Sequence, residues 1–441
     1  MRTVVVAEQG FARAAEALRR SPIAVDPGVE ATVRAIVEDV RARGDEALIE
    51  LGRRFDSPDL AGVAVSEEEW SAGAERTPAD LRTTIELAAE NIVSFHRHQL
   101  RTTWMHAEEG RITGQLIRAL DHVGVYVPGG TACYASTVLM CAAPAAVAGV
   151  PQITICTPCA RDGGVPPAVL YAARIAGVRR ICKVGGAQAI AAMAFGTASV
   201  PAVDKIVGPG NLYVATAKRL LWGAVDMDMI AGPSEVCVVA DETASPAFAA
   251  ADMLTQAEHD PDCAAVLITT SAALADQVRV EIEAQMARLP RREILRRALD
   301  ENGVIVVAES LDQAIRLADE CAPEHLALMV AEPFALLGSI KNAGAILIGG
   351  YSPQTLGDYW AGPSHTLPTG GAARFSSPLH VDTFLKKSSF ISYSPAALAA
   401  AAPHLERFAE AEGLHAHAEA VRIRVGRAKA EPAGPTGAID P

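Results

Sequence analysis

The spacing of hydrophobic positions changes along the chain. Over residues 31–50 the apolar side chains Val33, Ile36, Val37, Val40, Ala47 and Leu48 recur close to every 3.6 positions, with Gly44 as punctuation. Residues 83–99 repeat that amphipathic pattern, and the first 120 residues read as mostly helical. Beyond them the pattern alternates. Short apolar runs at 152–157, 180–184 and 203–207 predict buried strands, separated by helices at 166–176 and 187–195. After Ala231-Gly232-Pro233-Ser234 it resumes, with strands at 235–240, 264–269, 304–307 and 345–348 and helices at 246–259, 272–288 and 311–319. Repeated strand–helix alternation predicts right-handed βαβ units and doubly wound α/β sheets. Two such sheets are expected, joined near Tyr126 and again near Ser234.

The 38 residues from Val123 to Ala160 carry no charged side chain, a length that would permit a membrane span. Pro128, Pro144, Pro151 and Pro158, with Gly129, Gly130 and Gly149, break any long helix there. The stretch reads instead as strand, glycine turn, apolar helix and strand, the signature of a parallel sheet covered on both faces.

Composition narrows the function classes. Half of the 441 residues are hydrophobic, which excludes disorder of the whole chain. The net charge is −13, without a Lys/Arg cluster, which disfavours nucleic acid as a partner. The start lacks the apolar core of a signal peptide. Eight scattered cysteines fit a reducing cytoplasm, and Cys156 and Cys159 read as unpaired structural thiols despite their CxxC spacing. The tail from Glu431 is rich in Pro and Gly and reads as disordered.

Four constellations carry candidate chemistry. Gln256 and His259 stand at i and i+3 of a helix that Pro261 must stop near Asp260. They would share a face at the carboxyl edge of the sheet assembly, although a solvated helix end has the same pattern. Glu324 beside His325 supplies two proton-transfer groups. Either Pro323 opens a short helix whose positive end keeps His325 neutral, or a strand over 325–330 sends the two side chains to opposite faces. The run 357–371, dense in Gly and Pro, predicts an irregular site wall holding Asp358, a hard oxygen donor, and His365, a ligand or a loop hydrogen-bonder. Near the end, Glu412 precedes His415 and His417, of which only one can share a site with it on a helix. Glycine turns recur at 129–130, 185–186 and 208–211, but none is G-x-G-x-x-G, so the standard dinucleotide fingerprint is absent.

Taken together, DMLTQAEHD, DMIAGPSEV, VGGAQAIAAMAFGT, VDKIVGPGN, APEHL, GDYWAGPSHTLPTGGAARFSSPL and EGLHAHAEAVRIR resemble the successive motifs of the histidinol dehydrogenase family. The resemblance runs in order from about Val33 to Arg424. It implies two incomplete Rossmann-like doubly wound α/β/α domains with small terminal helical or extended segments, in an intertwined homodimer whose sites are shared. The implied divisions are an arm at 1–20, a domain at 21–125 and 234–379 carrying metal and acid–base residues, an NAD-contacting domain at 126–233, and a dimerisation and substrate-site segment at 380–441.

The implied reaction is the four-electron oxidation of L-histidinol to L-histidine with NAD, through bound histidinaldehyde, as the last step of histidine biosynthesis. One zinc per subunit would be held by Gln256, His259, Asp358 and His417. Glu324 and His325 would be the acid–base pair, while Ser234 and Glu412 would hold substrate polar groups alongside the metal set and His325. Tyr126, Gln188 and Asn211 would contact NAD. Ser364 stands where many members carry Asn. Rival readings are oxidation of another polar alcohol, such as a sulfonated diol, on the same scaffold, a hydrolytic zinc site, and a non-catalytic nucleotide-binding module.

Overall fold

The computed structural model describes residues 1–19, 26–129 and 133–426. Gly130 and the tail from Glu431 lie outside the described residues. Fourteen strands are present among those described: β1 Arg2–Val5, β2 Trp104–Glu108, β3 Arg111–Ala119, β4 His122–Tyr126, β5 Gln152–Thr157, β6 Arg180–Lys183, β7 Lys205–Val207, β8 Asp226–Met227, β9 Glu235–Ala240, β10 Ala264–Thr269, β11 Val304–Val307, β12 His325–Met329, β13 Ala345–Ile348 and β14 Leu385–Tyr393. The strands predicted at 152–157, 235–240, 264–269, 304–307 and 345–348 have those bounds.

The chain divides into two compact units. One comprises residues 1–100 and 119–384, the other 101–118 and 385–441. The larger unit contains two parallel sheets, of order β1-β11-β10-β9-β12-β13 and β6-β5-β4-β7-β8.

Both sheets are covered on both faces, as continuous apolar strands require. In β9, Val236 and Val238 enter one core with the helices Pro246–Ala257 and Ala272–Met286. Cys237 and Val239 enter the opposite core with the helices Phe11–Leu18 and Leu311–Cys321. The five-stranded sheet divides alike. Val123, Val125, Ile153 and Ile155 pack with the helices Ala79–Arg97, Ala135–Ala148 and Pro167–Ile175. On its other face Cys156, Cys182 and Ile206 pack with the helices Pro27–Arg43, Gly186–Phe195 and Leu212–Leu221. Pro144 sits inside its helix without ending it, and no helix among the described residues is long and apolar enough to cross a membrane.

The N-terminal segments are placed differently from the sequence expectation. Residues 1–18 are no separate arm: β1 extends the six-stranded sheet by pairing with β11. The helix Pro27–Arg43, expected beside the metal-bearing residues, packs through Val33, Val37 and Val40 on the five-stranded sheet. Gly44, at φ 56°, turns the chain into the next helix, Asp45–Phe55.

The first 120 residues are mostly helical, as their periodicity predicts, with a hairpin following the helix Ala79–Arg97. β2 and β3 form an antiparallel hairpin turned at Gly110, φ 72°. Every residue of β2 is exposed, so no alternation of buried and exposed positions marked it as a strand. In the smaller unit this hairpin joins β14 in the order β14-β3-β2. The helices Pro395–Ala411 and His415–Arg424 of that unit bury Ala402 and Ala418, and Arg422 reaches Glu406 at 3.1 Å.

Candidate functional site

A cavity of about 1190 Å³ opens within the larger unit. Its two ends are built by opposite edges of the two sheets. At one end β4 finishes at Tyr126, the Gly185-Gly186 turn follows β6, and Gly208-Pro209-Gly210-Asn211 follows β7, so the five-stranded sheet meets the cavity with its carboxyl edge. At the other end Ser234 immediately precedes β9, and His325 is the first residue of β12. The six-stranded sheet thus presents its amino edge, which corrects the expected carboxyl edge. The reason is geometric: a helix packed back on its preceding parallel strand returns to the edge where that strand began. The helix Pro246–Ala257 therefore delivers Gln256 and His259 to the amino edge, with Glu258 as its C-cap.

Glu324 and His325 carry the buried chemistry. They are 6% and 5% exposed. The strand alternative is the one adopted, because His325 pairs with Val236 and Ala345 in the ladder. No short helix opens at Pro323. His325 is nevertheless held neutral, since burial pushes its imidazole down to about 4. Its Nδ1–H donates to the Glu235 carbonyl at 3.4 Å, which leaves Nε2 with the lone pair, 3.8 Å from Asp358 Oδ1.

Burial moves the Glu324 carboxyl the other way, well above the usual carboxylate range. Its Oε2 accepts from the Glu235 amide at 2.9 Å and from Gln256 Nε2 at 3.5 Å, and the Ser234 hydroxyl also bonds it. Glu324 Oε2 lies 3.7 Å from His325 Nδ1, so the two groups are adjacent rather than on opposite faces.

Asp358 sits on the short helix Gln354–Tyr359, so the start of the 357–371 run is helical and its irregular part begins at Trp360. Burial raises the Asp358 carboxyl to about 6. His365 acts as a loop hydrogen-bonder: its Nδ1–H donates to the Asp358 carbonyl at 3.0 Å, and its Nε2 lies 3.3 Å from the Thr137 hydroxyl. Ser364 is buried and donates to the Met140 carbonyl at 3.2 Å, pinning the same loop.

Sequence reasoning missed Gln354. Its amide donates to Gln256 Oε1 and bonds the Asp358 carboxylate, tying two cavity side chains to one helix. The signal was the i, i+4 spacing of Gln354 and Asp358, obscured by the surrounding Gly and Pro.

The structure brings Gln256, His259, Asp358, Glu324, His325 and Ser234 into the lining of one cavity together with Tyr126, Gln188 and Asn211. The Tyr126 hydroxyl accepts from the Gly186 amide at 3.0 Å, and Asn211 caps the helix Leu212–Leu221. Glu412 and His417 are not among these residues. They lie exposed in the smaller unit, Glu412 capping the helix Pro395–Ala411 and His417 in the first turn of His415–Arg424. All eight cysteines are free, and the Cys156 thiol bonds that of Cys182.

Fold and site define a class: a doubly wound α/β protein with a buried carboxyl–imidazole pair facing glycine turns across one cavity. The particular family follows from comparison with known proteins. The family model described as Histidinol dehydrogenase matches residues 19–425. The chain is similar to the histidinol dehydrogenase of Heliobacterium mobile, at 51% identity over 403 residues, covering 91% of this chain and 94% of that protein. It is similar to that of Bacillus subtilis (strain 168), at 50% identity, covering 92% and 96%. Its fold is similar to the crystal structure of histidinol dehydrogenase from Elizabethkingia anophelis, with a TM-score of 0.91 and 37% identity over 97% of this chain and 98% of that one. The chain belongs to the histidinol dehydrogenase family.

Proposed function

We propose that this chain oxidises L-histidinol to L-histidine in histidine biosynthesis, with two NAD reduced per substrate and the aldehyde kept bound. The observation that carries the reading is the buried Glu324–His325 pair lining the same cavity as the glycine turns. Membership of the family supports it.

The residues present fit a divalent metal. Asp358 and Glu324 are buried acids in the cavity lining, and the nearest imidazole to Asp358, that of His325 at 3.8 Å, is kept neutral by burial and supplies no compensating charge. That lining carries acidic groups whose burial a cation would relieve. Among the described residues no three His, Cys, Asp or Glu side chains form a cage by themselves. Gln256, His259 and Asp358 would hold zinc, with His417 as the fourth protein ligand. Such an ion supplies Lewis-acid templating of the substrate's amine and imidazole.

His325 Nε2, neutral at pH 7 and fixed by its Nδ1–H bond, takes the alcohol proton. Glu324, held beside His325 by Glu235 and Ser234, in its ionised form accepts a proton from the water that hydrates the aldehyde, the burial that raises its proton affinity making it the stronger base. His325 serves again when the hydrate is oxidised. Ser234 and Glu412 hold substrate polar groups, and Tyr126, Gln188 and Asn211 bind NAD. NAD supplies the hydride acceptor in both oxidations.

A homodimer with sites built from both subunits completes this reading. Its support is the apolar surface of the smaller unit, where Met105 is 65% exposed, with Ile391 and Phe408 more so. Light scattering of the purified chain is expected to give twice the chain mass. Metal analysis with a histidinol and NAD assay tests the function. One zinc per chain and two NADH per histidinol are expected, with both lost in His417→Ala. A zinc-loaded chain that makes no NADH from histidinol contradicts it.

A further inference from the structure

The cavity turn Gly208-Pro209-Gly210-Asn211 is built on an unusual support. The strand β7 ends at Val207, so Gly208 leaves the ladder with a backbone donor and acceptor to satisfy. Its φ is 110°, and a Cβ there would lie 2.2 Å from the Tyr126 carbonyl oxygen, so only glycine lets the turn close on β4. Both of its polar groups go to one ion pair. The Gly208 amide donates to Asp228 Oδ2 at 2.8 Å, and its carbonyl accepts from Lys218 Nζ at 2.6 Å. Lys218 Nζ and Asp228 Oδ1 are 2.7 Å apart, with their side chains 4% and 1% exposed.

A buried ion pair is weak evidence for stability, because desolvation of two charges offsets most of their attraction. An apolar pair of the same volume would often serve the core as well. What an apolar pair cannot do is bond Gly208. Lys218 lies two turns along the helix that Asn211 caps, on the same face, so the pair fixes the turn and the helix start together. Asp228 also accepts from the Met229 amide at 2.7 Å, at the head of the segment that leads to Ser234 and β9.

We infer that Lys218 and Asp228 form a positioning clamp that holds the Gly208–Asn211 turn in the conformation that receives NAD. This rests on the reading that the turn is part of the NAD site. Neither residue touches the reacting atoms. The clamp pre-orders a backbone that would otherwise be ordered at the expense of binding.

The test uses the full-length, zinc-loaded enzyme. Lys218→Met alone strands a buried carboxylate, so the informative protein is the double variant Lys218→Met/Asp228→Leu, which removes both charges and orphans Gly208. NAD affinity is measured by calorimetric titration, and KM for NAD, KM for histidinol and kcat by steady-state kinetics. Expected is a melting temperature near that of the unsubstituted chain with NAD Kd and KM raised about tenfold or more. The KM for histidinol and kcat at saturating NAD should change by less than about threefold, a split that a merely structural role would not give. An unchanged NAD Kd in the folded double variant overturns the clamp, as does a fall in kcat with unchanged NAD affinity. Should the double variant not fold, Asp228→Asn carries the test, since it keeps an acceptor for Lys218 and turns a donor on the Gly208 amide. A several-fold rise in NAD Kd supports the clamp and an unchanged value overturns it. Failure of the unsubstituted chain to bind NAD overturns the proposed function, and the clamp with it.

Discussion

The two ends of the cavity solve different problems with different parts of the chain. The carboxyl edge of the five-stranded sheet works with backbone. Gly186 and Gly208 hold positive φ, where an added Cβ would meet Gln188 Oε1 and the Tyr126 carbonyl oxygen, and their amides are fixed by the Tyr126 hydroxyl and Asp228. The amino edge of the six-stranded sheet works with side chains. Glu324, His325 and Gln256 are buried almost completely and bonded to one another or to neighbouring backbone. Under the proposed function the difference follows from two tasks. A dinucleotide needs close approach to main-chain donors, whereas proton transfer needs titratable groups whose affinities are set by removal from water.

That division can be broken from either side. The largest effect is expected for His325→Asn, with turnover reduced about 10²–10⁴-fold while NAD and histidinol still bind, measured by steady-state kinetics and calorimetry. Near-normal turnover would remove the base assignment. Glu324→Gln comes next. Its oxidation of added histidinaldehyde should fall more than the first oxidation of histidinol, as read by single-turnover NADH formation. Equal retention of both rates would remove the water-activating role.

Two glycine substitutions sharpen the contrast. A Cβ at Gly344 would lie 2.5 Å from the Glu324 carbonyl oxygen, so Gly344→Ala should lower kcat. Gly208→Ala forces φ 110° on alanine and should raise KM for NAD instead. Each strain is worth about 1–3 kcal/mol. Kinetics that exchange these outcomes would refute the division of labour.

The smallest effect concerns the scaffold beyond the C-terminal end of the helix Gly186–Phe195, where Asp45 bonds Ser199. Asp45 is raised by burial, but the Ser199 and Thr197 hydroxyls and the Ser199 amide outweigh this and hold it below the usual carboxylate value. A carboxyl depressed in the folded state adds stability above its unfolded value and loses it as pH falls. Asp45→Asn should therefore cost about 1 kcal/mol at neutral pH. The difference from the unsubstituted chain should shrink as pH falls below about 4, the unfolded value, and vanish once the folded-state carboxyl is protonated too, as measured by urea unfolding across pH.

Legibility in the sequence followed the same physics. β5, β9 and β10 were readable to the residue because strands buried on both faces are continuous apolar runs. The hairpin β2–β3 was not, because its exposed residues carry no burial pattern. Gln256, Glu324 and His325 were visible through local spacing, Gln256 three residues before His259 and Glu324 beside His325, and the resemblance gave them expected roles. Their location on the amino edge was not visible, since that depends on how a helix packs back over its strand. Nor was the Lys218–Asp228 pair, whose partner Gly208 is a backbone group and leaves no side-chain signal.

The central claim is that a base on one sheet's amino edge faces a nucleotide on the other sheet's carboxyl edge. A crystal structure of the chain with zinc, NAD and histidinol measures this directly. The account predicts the substrate hydroxyl within about 3 Å of His325 Nε2, with the dinucleotide lying over Gly186 and the Gly208–Asn211 turn. A substrate hydroxyl turned away from His325, or a dinucleotide bound elsewhere, would contradict it.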